Sequence, residues 1–469
     1  MTKPSSPPTP CAPAHGTSDP AEESGLTHAL KSRHLSMIAL GGVIGAGLFV
    51  GSGAGIAAAG PAVIVAFAVA GLLVMLVMRM LGEMSAAHPA SGSFSVYAER
   101  ELGIWAGVTA GWMYWAVFCC GVATEATAAG TIMNSWIPVV PGWCWVAVFM
   151  AFFCASNMTS VKNFGEFEFW FAVIKVLAIV VFLVLGVLGV SGVLGHGAPG
   201  AGNLTGHSGF LPNGTHGLIT ALLGSVFAYA GLEMVTIAAA ESADPRRNVA
   251  KAVRTAMWRI AVFYIGSMAL VVTLVPWNDA GIVQQGPYVT VLQVLGVPAA
   301  AAIMKLVVFL ALLSAVNANM YGASRMAHSL VTRRQGPRVL GKLSGGVPRR
   351  AVLASCGFGF VAVLAGYWWP DTVFTWLMNT TGVGILVVWI FIAVSQLRMR
   401  RRLEREAPEL LTVRMWAFPY LSWVALAGVV AILALMTTTP GNRAQLYAAG
   451  VLLAVLALCG WRHQRRLGV

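Results

Sequence analysis

Two stretches place glycines inside otherwise uncharged, apolar runs, and they define the chemistry to look for. Leu35 to Gly60 reads LSMIALGGVIGAGLFVGSGAGIAAAG, and its glycines at 41, 42, 45 and 47 each weaken a helix by about 1 kcal/mol relative to alanine. A helix that faced only lipid would not need them. Unwinding around Ile44, Gly45, Ala46 and Gly47 frees backbone N–H groups that must point inward, because unpaired backbone cannot face hydrocarbon. Inward N–H groups suit an anion. Close helix packing through small residues four apart, Gly41 to Gly45, is the competing reading of the same run. The second stretch, FAYAGLE at Phe227 to Glu233, again sets a glycine beside an acid within an apolar segment. Two interrupted helices meeting near the bilayer midplane form the substrate site of inverted-repeat transporters, so the pair points to a carrier of a small carboxylate-bearing solute.

Ionisable side chains inside apolar spans cost about 2.5 to 3.5 kcal/mol each on insertion scales, so they normally face a partner or a cavity. Glu125, Lys175, Glu233 and Lys305 stand out. Lys175 lies in FAVIKVLAIV, where desolvation penalises the charged ammonium, as suits a group that exchanges protons. The same cation could hold the broken first helix in place, and a static salt bridge is the structural alternative. Glu125, with Thr124 and Thr127 beside it, could receive a substrate amine, relay a proton or bond a neighbouring helix. Glu233 could bind an amine, carry protons or cap unwound backbone, and capping ranks first. Lys305 sits near a span end and snorkels to the interface. Ser314 and Asn317 are polar pocket or gate candidates.

The elements that must position these groups follow from composition. With 58% hydrophobic and only 10% charged residues in 469, against roughly half apolar in soluble domains, the chain is membrane-embedded. At about 20 apolar residues per crossing, twelve spans are predicted: 36–57, 62–86, 104–134, 143–158, 167–191, 217–240, 257–276, 300–331, 351–369, 371–396, 415–437 and 444–461. Basic residues gather on one side of them, with Lys31 and Arg33 before the first, Arg246 to Arg254 after the sixth, Arg333 to Arg350 after the eighth and Arg398 to Arg405 after the tenth. By the positive-inside rule both termini are cytoplasmic, and the formal charge of +13 is topogenic rather than a nucleic-acid footprint. Residues 1–30, rich in Pro, Ser and Ala, read as a disordered cytoplasmic tail. Residues 31–400 form a core of ten helices, and 401–469 add two spans and the cytoplasmic C-terminus. Five spans separate the two breaks, and an odd number of crossings starts the two five-helix units on opposite sides. The predicted fold is therefore all-α and integral to the membrane, a five-plus-five inverted repeat with helices one and six broken. Phe94 to Leu102 inside and Pro287 to Leu295 outside could each form a short interfacial helix that serves as a gating element, with an ordinary loop helix the more common reading. Tryptophans near span ends, Trp112, Trp115, Trp368 and Trp369 among them, read as interfacial anchors. Seven cysteines include no C-x-x-C pair, so neither metal, cofactor nor disulfide is expected. No nucleophile motif or metal-spacing His/Cys cluster suggests an enzyme.

The words GGVIGAGLFVGSG, MRMLGEM, SVKNFGEFEFWFAVIKV, VTIAAAESADP, WRIAVFY and NANMYGASRMAHSL together resemble bacterial amino-acid permeases of the amino acid-polyamine-organocation superfamily, over about residues 30 to 400. Within it the chain looks closest to the 4-aminobutyrate permeases, through SVKNFGEFEFW, EMVTIAAAES and IAVSQLRMR. Proline, aromatic and other neutral amino-acid permeases share much of this vocabulary. The resemblance implies a LeuT-like fold and proton-coupled uptake of a small zwitterionic amino acid across the cytoplasmic membrane by alternating access. It implies that N–H groups of Ile44, Gly45, Ala46 and Gly47 hold the substrate carboxylate and that carbonyls around Phe227, Ala228 and Ala230 receive the ammonium. It further implies that Lys175 replaces a sodium ion and that Glu125 lies near the pocket. The expected partners are an amino acid, protons and the lipid bilayer, with no nucleic acid. A membrane sensor of the same solute, without net transport, is the alternative from another class.

Overall fold

The computed structural model describes residues 44–90, 92–158, 161–194, 200, 202–206, 208–233, 255, 258–344, 347–370, 372–438 and 440–468. The predicted tail 1–30, Gly41 and Gly42, and predicted span six beyond residue 233 lie outside them. Helix is the form that satisfies backbone within hydrocarbon, and among the described residues the one β feature is an isolated bridge between Ser344 and Val347. Among the described residues seven helical runs are long and apolar enough to cross a membrane: Gly47–Ala87, Ile104–Trp136, Glu168–Val190, Ala299–Thr332, Arg349–Trp368, Val373–Glu406 and Arg443–Arg466. Gly142–Asn157, Gly214–Ala228, Ile260–Leu274 and Tyr420–Met436 are shorter apolar helices. In chain order these fall on the predicted spans, the first run covering spans one and two together. Those two part at Gly60, whose φ of 62° belongs to the left-handed region that glycine enters without penalty.

Span three (Ile104–Trp136) is the central post. It packs against spans eight, ten and twelve and against the short helix Ser93–Leu102. Small residues bring the backbones close: Gly111 lies against Leu330, and Gly384 of span ten lies against Val117. On the outer surface Leu72, Phe152 and Leu177 are 60%, 63% and 62% exposed, an apolar exterior that suits lipid. Trp112 and Trp115 donate to the Gln335 carbonyl (2.9 Å) and the Ser355 hydroxyl (3.0 Å), tying span three to the region of spans eight and nine.

Short helices occupy both stretches, Ser93–Leu102 and Pro287–Val294. Arginines from span ends hold the first: Arg333 pairs with Glu99 and donates to Ser95 Oγ at 2.8 Å, and Arg402 pairs with Glu101. Beside it the buried Glu83, near the end of span two (Val63–Ala87), accepts from Gln396 (3.0 Å), from Arg400 (2.9 Å) and from the Met415 N–H. Gln396 in turn accepts from Ser422 of span eleven (2.9 Å). Span twelve joins elsewhere: the Trp105 N–H at the start of span three donates to Gln464 at 3.1 Å.

Candidate functional site

Ile44 and Gly45 precede the first described helix, Ala46 caps it, and Gly47–Gly51 runs as a π-helix, a form frequent at functional sites. The glycines answer to close approach. A Cβ at Gly45 would overlap the Glu125 carboxylate, and one at Gly47 would overlap the backbone of Ala228. Ala228 ends the helix Gly214–Ala228, the first half of span six. Tyr229 to Glu233 then form a turn in which Gly231 takes φ 88°. The N-terminal end of one helix thus abuts the C-terminal end of another, so partial charges of opposite sign face a common space.

That space is a cavity of about 40 Å³ whose wall includes Gly47, Glu125, Phe227, Ala228 and Ala230. Gly45 and Ala46 reach it through Glu125, and Ile44 is fully buried. Tyr114, Phe118, Asn319 and Thr381 complete much of the remaining wall. None of these four was singled out from sequence, although Asn319 stands two residues beyond Asn317 in NANMYG.

Glu125 sits at the junction. The Ala46 N–H donates to its Oε2 at 2.8 Å, so one N–H expected to await a solute is held by this carboxylate. The hydroxyls of Thr124 and Thr127 turn back onto their own helix, donating to the carbonyls of Cys120 (2.8 Å) and Ala123 (2.7 Å). The hydrogen-bonding capacity of that face therefore rests mainly on Glu125.

Glu233 lies at the centre of a knot. Tyr114 Oη donates to it at 3.0 Å, the Gly231 N–H at 3.2 Å, and the Trp389 indole N–H reaches its other oxygen. Spans three, six and ten are joined through this one carboxylate, next to the turn that breaks span six.

Lys175, 1% exposed, is 3.6 Å from Glu168 Oε1 on the same helix, Val161–Val190. Ser314 of span eight lies within hydrogen-bonding distance of both Glu168 oxygens, at 2.9 and 2.8 Å. Asn317 accepts from Asn157 Nδ2 at 2.8 Å. Ser314 and Asn317 therefore tie span eight to spans five and four, away from the cavity wall. Glu168 was missed from sequence, yet a signal existed: it stands seven residues before Lys175, and two helical turns return to the same face. Lys305 lies over the Trp136 ring at 5.8 Å, near the ends of spans eight and three. Among the described residues no group of three or more His, Cys, Asp or Glu could hold a metal ion.

Comparison with known proteins places this arrangement in context. The family model described as amino acid permease matches residues 34–467. The chain is 45% identical to a gamma-aminobutyric acid permease of Bacillus subtilis, over 93% of each chain. It is 44% identical to an aromatic amino acid transport protein of Corynebacterium glutamicum, over 92% of this chain and 94% of that one, and 43% identical to a gamma-aminobutyric acid permease of Escherichia coli, over 94% of each. Among solved structures, a mutant manganese transporter of Eremococcus coleocola superposes with a TM-score of 0.56 at 14% identity, covering 96% of this chain and 97% of that one. This last likeness is one of fold, the LeuT-like inverted repeat. The chain is a multi-pass membrane protein and belongs to the amino acid permease family.

Proposed function

We propose that this permease imports a small zwitterionic amino acid, 4-aminobutyrate first among them, together with protons, across a cytoplasmic membrane with both termini in the cytosol. The observation that carries the reading is the meeting of two oppositely oriented helix ends at one cavity, with Gly47 against Ala228. A zwitterion needs both signs at once. N–H groups around Ile44 to Gly47 take its carboxylate, while the carbonyls around Phe227, Ala228 and Ala230 and the Glu125 carboxylate take its ammonium, each drawing on the dipole of a helix terminus. Lys175 is the coupling group, placed by burial where gaining or losing a proton changes its interactions most. Glu233 keeps the break of span six in shape, and Ser314 and Asn317 set the contacts of span eight with spans five and four. Alternating access moves these helix sets within the ten-helix core, 31–400, and residues 401–469 lie outside the repeat.

The identity to the Bacillus subtilis gamma-aminobutyric acid permease supports this substrate. The nearly equal identity to the Corynebacterium glutamicum aromatic amino acid transport protein supports an aromatic or other neutral amino acid as the second reading. Uptake of radiolabelled 4-aminobutyrate into proteoliposomes under an imposed proton gradient, with proline, phenylalanine and lysine as competitors, tests substrate and coupling together. Gradient-driven accumulation that phenylalanine does not suppress is expected. Suppression by phenylalanine at equal concentration selects the second reading, and binding without flux identifies a sensor.

A further inference from the structure

We infer that Glu168 belongs to the coupling machinery: it is the carboxylate that orients the Lys175 ammonium and receives its proton on the way to the cytosol. The inference rests on the reading of Lys175 as the coupling group. Seven residues at 1.5 Å rise put the two Cα atoms about 10 Å apart along one face of span five, and both side chains extend along the helix so that Nζ and Oε1 come to 3.6 Å. The opposite face meets lipid, with Trp170 and Leu177 both 62% exposed, so the pair occupies the face turned into the protein.

Ser314 decides how the carboxylate is held. Its hydroxyl lies 2.8 Å from Oε2 and 2.9 Å from Oε1, but a hydroxyl carries one proton. Donating to Oε2 leaves Oε1 to the ammonium. Neither Glu168 nor Ser314 is on the cavity wall, so this carboxylate has no part in holding the solute. From other elements, Glu125 of span three and Arg259 of span seven act electrostatically on Lys175. The acid in direct reach of the ammonium is Glu168, seven residues nearer the cytosolic start of the same helix.

The step is a single proton transfer. An Nζ–H bond of Lys175 breaks and an Oε1–H bond of Glu168 forms, converting an ammonium and a carboxylate into an amine and a carboxylic acid. The summed charge of the pair is zero before and after, so no net charge is stranded in a medium that penalises one. Glu168 then loses the proton to cytosolic water as span five parts from span eight at Ser314, and Lys175 is reprotonated from the cavity side through Glu125.

The test compares two measurements in proteoliposomes with radiolabelled 4-aminobutyrate: accumulation driven by an imposed pH gradient, and exchange of internal for external solute at equal pH. Glu168→Gln is expected to lower accumulation about a hundredfold, the low end of what a positioned proton-transfer group contributes, while exchange stays within about twofold of wild type. If Lys175→Met keeps accumulation, the reading of Lys175 fails and the inference with it. If Lys175→Met loses accumulation and Glu168→Gln keeps it, the inference alone is overturned. Loss of exchange together with accumulation in Glu168→Gln assigns the residue to folding and also overturns it. Should Glu168→Gln not insert, Ser314→Ala carries the test: a displaced pH dependence of uptake supports the inference, and an unchanged one overturns it.

Discussion

Gly45→Ala adds one methyl group where the Glu125 carboxylate already sits. The added Cβ overlaps one carboxylate oxygen and lies 2.9 Å from the other. The backbone has little freedom to yield, since Gly47, two residues on, is packed against Ala228. The carboxylate must move and give up the 2.8 Å bond from the Ala46 N–H. Displaced, the carboxylate no longer reaches the solute's ammonium in the proposed binding mode, and losing that charge-assisted hydrogen bond, about 1.5–3 kcal/mol, lowers the affinity for solute by roughly 10- to 150-fold at about 1.4 kcal/mol per tenfold. Gly224→Ala is the matched control, because its Cβ meets nothing within 4 Å on the helix of span six. The assay is calorimetric binding of 4-aminobutyrate to detergent-purified protein, with phenylalanine as second titrant. In a Glu125→Ala background, Gly45→Ala should weaken binding no further, since the displaced partner is gone and the two changes couple. Wild-type affinity in Gly45→Ala, or losses that simply add in the double variant, would refute the reasoning.

Gly231→Ala puts a side chain on backbone at φ 88°, at about 1–2 kcal/mol, and should lower the thermal midpoint of the purified protein and slow uptake; an unshifted midpoint counts against a required glycine. Trp389→Phe removes the indole donor from the buried Glu233 carboxylate, a loss of about 1–3 kcal/mol read by fluorescence-monitored unfolding, while the ranking of competitors in uptake stays as it was. Glu83→Gln uncharges the partner that Arg400 meets at 2.9 Å. Glu404, at 2.7 Å, still partners the guanidinium, so the loss stays near the lower end for a broken buried pair, about 3 kcal/mol. It should show as a smaller monodisperse fraction after size-exclusion chromatography.

The glycine run spoke plainly because glycine has a cost in any helix, and five-span spacing carried the repeat. Side-chain partners across helices were harder to read. In a soluble helix the apolar stripe marks the inward face, but here lipid and core are both apolar and the stripe fades. Ser314 and Asn317 read as pocket candidates for that reason, and their rotation about the helix axis aims them instead at Glu168 and Asn157. Thr124 and Thr127 resembled a polar face until their hydroxyls were seen to close on their own helix. Glu168 stood one residue inside a predicted span, where an acid passes for part of the flanking loop. The Ala46 N–H bond to Glu125 joins residues 79 apart in sequence, beyond the reach of any local pattern.

Spans eleven and twelve are neighbours in the chain and both pack on span ten, but beyond it they reach different helices. Ser422 binds span eleven to Gln396 and so to Glu83 of span two, with Gly428 close against Leu73, whereas Gln464 and Gly460 of span twelve lie on Trp105 at the foot of span three. A relative shift of spans two and three would therefore have to be absorbed within this terminal hairpin or at its shared seat on span ten.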